Sequence, residues 1–531
     1  MIDADTAARR EALDPSRSFC VTAPAGSGKT ELLTQRILAL LARVDRPEQV
    51  LAITFTRKAA AEMRDRLVEK LYQAESAEPV TEAHEQVTRD LALAVLEHAR
   101  DQQWSLDPEI FNLRTIDSLC GDLTRQMPVM SALGGQISVT DQHRPLFEMA
   151  VAALMKRVER SDSAGLALRA LLLNFDNDWE RLRRLLVQLL ERRGDWGPRL
   201  GMHHRPEQSE QDLLKTVQEL TEAVIGRVAE QLTGDVTELE ALTNFSAGNL
   251  GRDPVVLSTS AIALPAWRHA IDLMLKKDGD WRSAKGINKT LGFPVGSDEE
   301  KSRLRNLLEK HAGERFRELL IELRRLPQID SADQSWQLVL HLSHLLPILL
   351  AELLLVFQAE GKVDYTHIAL AAETALGPDE EPTDLALRLD YQIEHILIDE
   401  FQDTSDQQFR LLHKLTRGWA EHNQTERSPR TLFLVGDGMQ SIYGFRYANV
   451  SLFLRARDHG IGGVLLEPLA LKRNFRSQQG VVDWVNNVFS QLLPPVDDLP
   501  RGRVSHSSAI ATHASLPGEA VSCNIFPASE G

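Results

Sequence analysis

The chain has 531 residues, 43% of them hydrophobic and 26% charged, an ordinary globular mixture with core enough for two to four domains. Its net charge of −16 excludes a polycation that coats nucleic acid indiscriminately, so any such contact has to come from a local groove. Cys20, Cys120 and Cys523 are too few and too scattered for a disulfide framework or a zinc site, and no signal peptide opens the chain, which points to a soluble cytoplasmic protein.

From Ser18 to about Leu67, short apolar runs alternate with polar, glycine-rich turns. Phe19 to Ala23 predicts a buried strand, followed by a glycine loop and a helix that begins near Lys29. Val50 to Phe55 predicts a second strand, and Ala59 to Leu67 a second helix. This alternation specifies a parallel sheet with crossover helices.

From about Glu69 to Gln392 the pattern changes to long helical periodicity rich in Leu, Arg and Glu, with no fixed-period repeat. Trp179 to Arg193 predicts an amphipathic helix, whose five arginines either contact phosphate or form a solvated face beside Glu180 and Glu191. Leu345 to Phe357 is the best membrane candidate, but it falls short of the roughly 20 apolar residues that cross a bilayer and carries Glu352, so no membrane contact is expected. From Ile393 the strand pattern returns, at Ile396 to Ile398, Leu432 to Val435 and Val464 to Leu466. Leu492 to Ser515, with Pro494, Pro495, Pro500 and Gly502, reads as a linker or exposed connection. The expected fold class is α/β: a parallel-sheet core in residues 1–125 and 391–490, interrupted by a large all-α insertion in 126–390.

Two segments carry chemistry. Ala23-Pro24-Ala25-Gly26-Ser27-Gly28-Lys29-Thr30 follows an apolar strand and opens a helix, as a phosphate-binding loop does. Ala23 stands where G-x-x-x-x-G-K-[ST] has its first glycine. Backbone N–H groups from Gly26 to Lys29 would wrap phosphate at the helix N-terminus. Lys29 would neutralise the β- and γ-phosphates, and Thr30 would ligate Mg²⁺. The second segment is Ile396-Leu397-Ile398-Asp399-Glu400, an apolar strand that delivers two carboxylates at its end. Asp399 would hold Mg²⁺ through water, and Glu400 would orient and polarise the attacking water.

Extended to Asp399-Glu400-Phe401-Gln402-Asp403-Thr404-Ser405, the second segment closely resembles the Walker B signature of superfamily 1 DNA helicases of the UvrD/RecB type. Five further segments resemble that family's motifs in the expected order. They are Ala23 to Thr30 (the phosphate loop), Ile53 to Met63 (motif Ia), Thr115 to Cys120 (a weaker DNA-contacting motif), Val435 to Arg446 (motif III) and Lys472 to Ser477 (motif IV). The resemblance implies a RecA-like P-loop NTPase core that uses ATP and Mg²⁺ to move 3′-to-5′ on single-stranded DNA. It also implies work at DNA duplex ends in repair or recombination, with nuclease or recombination subunits as possible partners. By the same resemblance, Gln440 hydrogen-bonds the γ-phosphate, Arg476 brings a cation to it and Phe475 stacks on adenine. Phe55, Tyr443 and Phe445 stack on DNA bases, with Thr56, Arg57 and Arg446 beside them.

The chain departs from the family pattern in three places. Arg9 stands where relatives carry a Gln that reads adenine by two hydrogen bonds, and arginine cannot accept one. Asp117 stands where many relatives have His, and its charge would repel a DNA backbone. After Ser477 only 54 residues remain, and none resembles the later motifs that complete a second RecA-like core. Residues 491–531 are therefore expected to be a linker and the start of a truncated second core, with a final strand at Val521 to Phe526, in the N-terminal part of a larger helicase. The alternatives are a catalytically incomplete ATP- and DNA-binding module, or a scaffold whose helical zone docks partner proteins.

Overall fold

Six strands form one sheet: β1 (Phe19–Thr22), β2 (Val50–Thr54), β3 (Leu113–Thr115), β4 (His395–Ile398), β5 (Thr431–Gly436) and β6 (Glu467–Ala470), of which β1, β2, β4 and β5 come from the apolar runs. The computed structural model describes residues 4–76, 82–126, 138–200, 206–232, 234–328, 334–378, 381–426, 428–442, 448–498 and 502–522. Every pairing in this sheet is parallel, in the order β3-β2-β4-β5-β1-β6. Strands β2, β4 and β5 are buried along their whole length, as a sheet covered on both faces requires. Because all six run the same way, Thr22, Thr54, Thr115, Ile398, Gly436 and Ala470 end at one edge, where α/β sheets gather their functional loops.

The flanking helices are α1 (Ala4–Glu11), α2 (Lys29–Leu41), α3 (Arg57–Ala74), α4 (Ala83–Asp101) and α5 (Ile116–Gln126). Thr56 caps α3 by accepting a hydrogen bond from the Ala59 amide at 3.1 Å. Helix α2 is buried at every residue from Leu32 to Leu41, including Arg36. The Arg36 guanidinium donates to the carbonyls of Ala12 (3.0 Å), Asp14 and Arg17 (2.8 Å) and lies over the rings of Phe19 and Phe433. It thereby fastens the segment between α1 and β1 onto the central helix.

Two expectations shift here. Val464 to Leu466 is not a strand: Ile461 and Val464 bridge across a turn through Gly462 and Gly463, both in the left-handed region. The strand begins instead at Glu467, on the sheet edge, where the missing N–H of Pro468 is tolerated. Nor is Leu492 to Ser515 wholly a connection, since β8 (Ile510–His513) pairs in parallel with β7 (Arg473–Gln478) in a separate two-stranded sheet. Of the final strand expected at Val521 to Phe526, Val521 and Ser522 are not in a strand, and the rest lies outside the described residues, as does Cys523.

Contacts divide the chain into two units, Met1–His143 with Phe357–Gly531, and Arg144–Val356. Ser138 and Val139 pair in parallel with Lys362 and Val363, so the chain leaves the sheet-bearing unit and returns to it at neighbouring points. The second unit is built of helices around a core that includes Trp267, Phe293 and Leu320. Its arginine-rich helix runs Trp179–Glu191. Arg181 lies over Phe175, Arg183 pairs with Glu148 and Glu180, and Arg192 pairs with Asp195. Arg193 is buried over Phe147, and Arg184 donates to the Glu180 carbonyl. The five arginines thus serve the unit's own packing and ion pairs.

The run around Leu345 needs correcting. It lies in a continuous helix, Gln334–Glu360, whose 25 residues from Trp336 are long and apolar enough, by length and composition, to cross a membrane. Leu345, Leu349 and Leu353 are buried at fourfold spacing, and Glu352 pairs with Arg157, so this helix packs as part of the unit. Gln337, His341, Ser343 and His344 break the apolar run, so the longest unbroken stretch understates a helix whose apolar character extends back to Trp336.

The Arg36 staple is testable. Arg36→Met leaves three carbonyls without their donor, one buried and two partly buried, each worth about 1 kcal/mol, so urea unfolding should show a loss of about 2 to 3 kcal/mol. Exposed Arg43→Met should stay within about 0.5 kcal/mol of wild type.

Candidate active site

At the end of β1 the Ala23 amide donates to the Gly436 carbonyl at 2.9 Å, prolonging the strand pairing into the loop. The chain then turns through Gly26 and Gly28, with φ of 76° and 75°. A Cβ on Gly26 would stand 2.8 Å from Asn474 Oδ1 and 2.9 Å from Arg476 Cβ, so dihedral and space both demand glycine there. Gly28 occupies the N-cap of α2 and supplies no side-chain cap. The first-turn amides are left open to an anion at the positive end of the helix dipole. The hydroxyl of Ser27 is buried without a hydrogen-bond partner among the described residues, a polar atom suited to a phosphate oxygen. Thr30 is exposed at the start of the helix.

Lys29 reaches across the loop to Glu400, with its ammonium 3.0 and 2.9 Å from the two carboxylate oxygens. Glu400 follows β4 in the left-handed region, at φ 52°, a conformation uncommon outside glycine. Asp399 precedes it: its amide donates to Ile53 on β2, and its Oδ1 accepts the Glu400 amide at 3.0 Å. Burial, with Glu400 beside it, pushes the Asp399 carboxyl up to about 6, while Lys29 acts the other way. Burial likewise lifts the Asp403 carboxyl to about 6 against the hydrogen bond from the Ser441 hydroxyl. Three carboxylates therefore crowd one ammonium, an arrangement suited to a further cation.

Gln402 is 1% exposed and ties this cluster to the next strand. Its amide nitrogen donates to Glu400 Oε2 at 2.7 Å, and its amide oxygen accepts the Asp437 N–H at 3.0 Å. Asp437 in turn accepts the Gln440 side-chain amide at 2.6 Å. Gln440 lines an apolar hollow with Pro24 and Ala25, which places it against the phosphate loop.

The opposite side of the loop is closed by α1 and β7. Asp5 accepts the amides of Lys472 and Arg473 and the Arg9 guanidinium. Burial opposes ionisation, but these donors hold Asp5 below the usual carboxylate range. Arg9 also donates to the Ser27 carbonyl and lies 5.4 Å above the Phe475 ring. Asn474 donates to the Ala25 carbonyl, and the Phe475 amide donates to Gly26. Phe475 keeps 47% of its surface exposed, and Arg476 is exposed beside it.

The structure thus gathers Ala23 to Thr30, Asp399, Glu400, Gln440, Phe475 and Arg476 around one loop. Phe55, Thr56 and Arg57 follow β2 at the same sheet edge, next to β4, with Phe55 partly buried and the other two exposed. Tyr443, Phe445 and Arg446 lie outside the described residues. Sequence reasoning gave no role to Asp5, Gln402, Asp403, Asp437 or Asn474. Four of these sit inside the motif segments, and polar residues there were the available signal. Asp5 offered only an i,i+4 pairing with Arg9, since its other partners are backbone amides more than 460 residues away.

Residues 5–460 match the UvrD/REP helicase N-terminal domain family. The chain is 26% identical to the A subunit of an ATP-dependent helicase/nuclease from Desulfitobacterium hafniense, over 92% of this chain and 36% of that protein. It is 26% identical to the protein of the same name in Levilactobacillus brevis (93% and 38%) and 27% identical to that in Anoxybacillus flavithermus (89% and 39%). The chain spans little more than a third of the length of these curated relatives.

The raised Asp399 carboxyl has a consequence for stability. A folded pKa of about 6, against 3.8 for the ordinary group, means that the fold loses stability as pH rises between those values and stays lower above them. Asp399→Asn should therefore be more stable than wild type by about 3 kcal/mol at pH 7.5 and nearly equal to it at about pH 3.5 to 4, in urea titrations.

Proposed function

This chain belongs to the UvrD/REP helicase family, and on that premise we propose that its sheet-bearing unit hydrolyses ATP to drive movement on single-stranded DNA within a larger helicase. The observation that carries this reading is the Lys29–Glu400 pair, which sets a phosphate-binding ammonium and a water-orienting carboxylate on one uncapped helix N-terminus. Lys29 exchanges Glu400 for the β- and γ-phosphates, and the amides of Gly26, Gly28, Lys29 and Thr30 take the remaining oxygens, while the Ser27 amide stays on the Pro24 carbonyl. Glu400, released from Lys29, positions the attacking water. Gln440 and Arg476 approach the same phosphate from β5 and β7, while Phe475 offers its exposed ring to the base. Arg9 presents only donors to that base, so discrimination for adenine is weaker than a Gln would give.

Thr30 and Asp399 would hold Mg²⁺, and the crowding of Asp399, Glu400 and Asp403 supports the fit. Bound there, the ion neutralises charge on the phosphates. Phe55, Thr56 and Arg57, which follow β2, form the DNA-facing surface in this reading, and β2 lies beside β4, the strand that delivers the carboxylates. Tyr443, Phe445 and Arg446 complete that surface in this reading.

The relatives' name supports a coarser context, a helicase that works with a nuclease activity and a further subunit; work at DNA duplex ends, in cytoplasmic repair or recombination, is part of the proposal. Movement 3′-to-5′ belongs to the same proposal. A second reading, nucleotide binding without turnover, draws on the exposure of Phe475 and Arg476.

Hydrolysis by this chain, with and without single-stranded DNA, tests the proposal. Lys29→Ala should abolish turnover. Glu400→Gln should bind ATP as wild type does but turn it over at least about 100-fold more slowly; wild-type rates in both variants would sink the assignment. Phe55→Ala should weaken single-strand binding about 10-fold in fluorescence titrations, and an unchanged affinity would remove Phe55 from the DNA surface.

A further inference from the structure

Among the described residues, Gln402 is the buried side chain that bonds both the Glu400 carboxylate and the backbone at the head of the Asp437–Gln440 turn. We infer that Gln402 is a positioning residue: it fixes Glu400 in line for attack and makes the Asp437–Gln440 turn move with it. This rests on the hydrolytic reading above and adds a residue with no assigned role in it.

The orientation of the Gln402 amide is decided by its partners. Turned over, it would face its NH₂ to the Asp437 N–H and its oxygen to the Glu400 carboxylate, two repulsive contacts in a nearly water-free place. The position also has room for no alternative. A Cβ on Gly436 would stand 2.6 Å from Gln402 Oε1, so that glycine is the space in which the amide sits. Gly436 has no positive φ, so sterics alone separate it from alanine.

Glu400 needs such support. It sits in the left-handed region, and its contact with Lys29 is one that a phosphate would compete for. When Lys29 turns away, the bond from Gln402 is what still aims the carboxylate. The same amide carries any displacement of Glu400 to Asp437 and, through the Asp437 carboxylate, to Gln440. The segments on either side are joined further: the Ser441 hydroxyl bonds Asp403, the Asn449 amide donates to the Thr404 carbonyl, and Ser405 bridges Ala448. Residues 399–405 after β4 and the described residues after β5, 437–441 and 448–449, are thus joined at several points, with Gln402 at the nucleotide end.

The test is single-turnover hydrolysis of labelled ATP with the chain in excess, beside nucleotide affinity from a fluorescent ADP. Gln402→Ala should slow hydrolysis about 10- to 100-fold while changing nucleotide affinity less than about 3-fold, the effect expected of a lost support for a reacting group. Gln402→Glu keeps an acceptor for Asp437 but turns the donor aimed at Glu400 into an oxygen, and should be at least as slow. Gly436→Ala, which displaces the amide without removing it, should reproduce the Gln402→Ala pattern. Wild-type rates in both Gln402 variants would overturn the inference, as would slowing matched by an equal loss of affinity, the mark of general damage. A wild-type rate no greater than that of Glu400→Gln, with nucleotide bound, would overturn the hydrolytic reading itself and leave Gln402 nothing to position.

Discussion

The contact between Lys29 and Glu400 joins two loops that are 371 residues apart in the chain, and the rest of the site depends on it. It forms because β1 and β4 are separated by a single strand, β5, and because both run in the same direction. Neither condition is local. Strands β4 and β5 reach their places only when their aliphatic side chains fill both faces of the sheet, and α2 covers that sheet with a continuous buried stripe. Burial of apolar area thus sets the ångström-scale geometry of a polar site.

The same logic explains how a long helical unit can interrupt the core without disturbing it. The chain departs after Val139 and returns before Lys362, and these two points pair with one another. An excursion whose ends meet imposes no strain on the strands it separates, and its loop-closure cost grows only slowly with length. Part of the excursion has a core of its own: the cluster around Trp267 and Phe293 is drawn entirely from residues 224–326.

Much of this was legible in the sequence, for definable reasons. Strands β1, β2, β4 and β5 are uninterrupted aliphatic runs that a covered parallel sheet requires, and the phosphate loop announces itself by glycines whose φ proves positive. The edge strand β6 was misplaced because an edge is under weaker compositional constraint: Val464 to Leu466 is the more apolar run, yet Glu467 to Ala470 makes the ladder. Strand β8 was invisible because it borrows its order from β7 rather than from its own residues. Beyond its i,i+4 spacing to Arg9, Asp5 could not be found by pattern, since its function is to accept two backbone amides from the far end of the chain. Gln402 lay in plain view within a recognised segment, but only the closeness of Gly436 reveals that it is held.

These features share an energetic character. Asp399 is kept in a place that favours its protonated form, Glu400 in a backbone conformation that most residues avoid, and the Ser27 hydroxyl in a pocket that gives it no partner among the described residues. Each lowers the stability of the fold, and all three lie in the phosphate loop or in the segment that Lys29 reaches from it. A core built only for stability would have relaxed them, because stabilising substitutions at single positions are easy to reach. Their clustering at one spot agrees with the proposed site, in which a phosphate would meet Ser27 and Lys29 and a cation the carboxylates. The stiff surroundings, from the Arg36 staple behind the loop to the Gln402 bridge in front of it, keep that strain from dissipating.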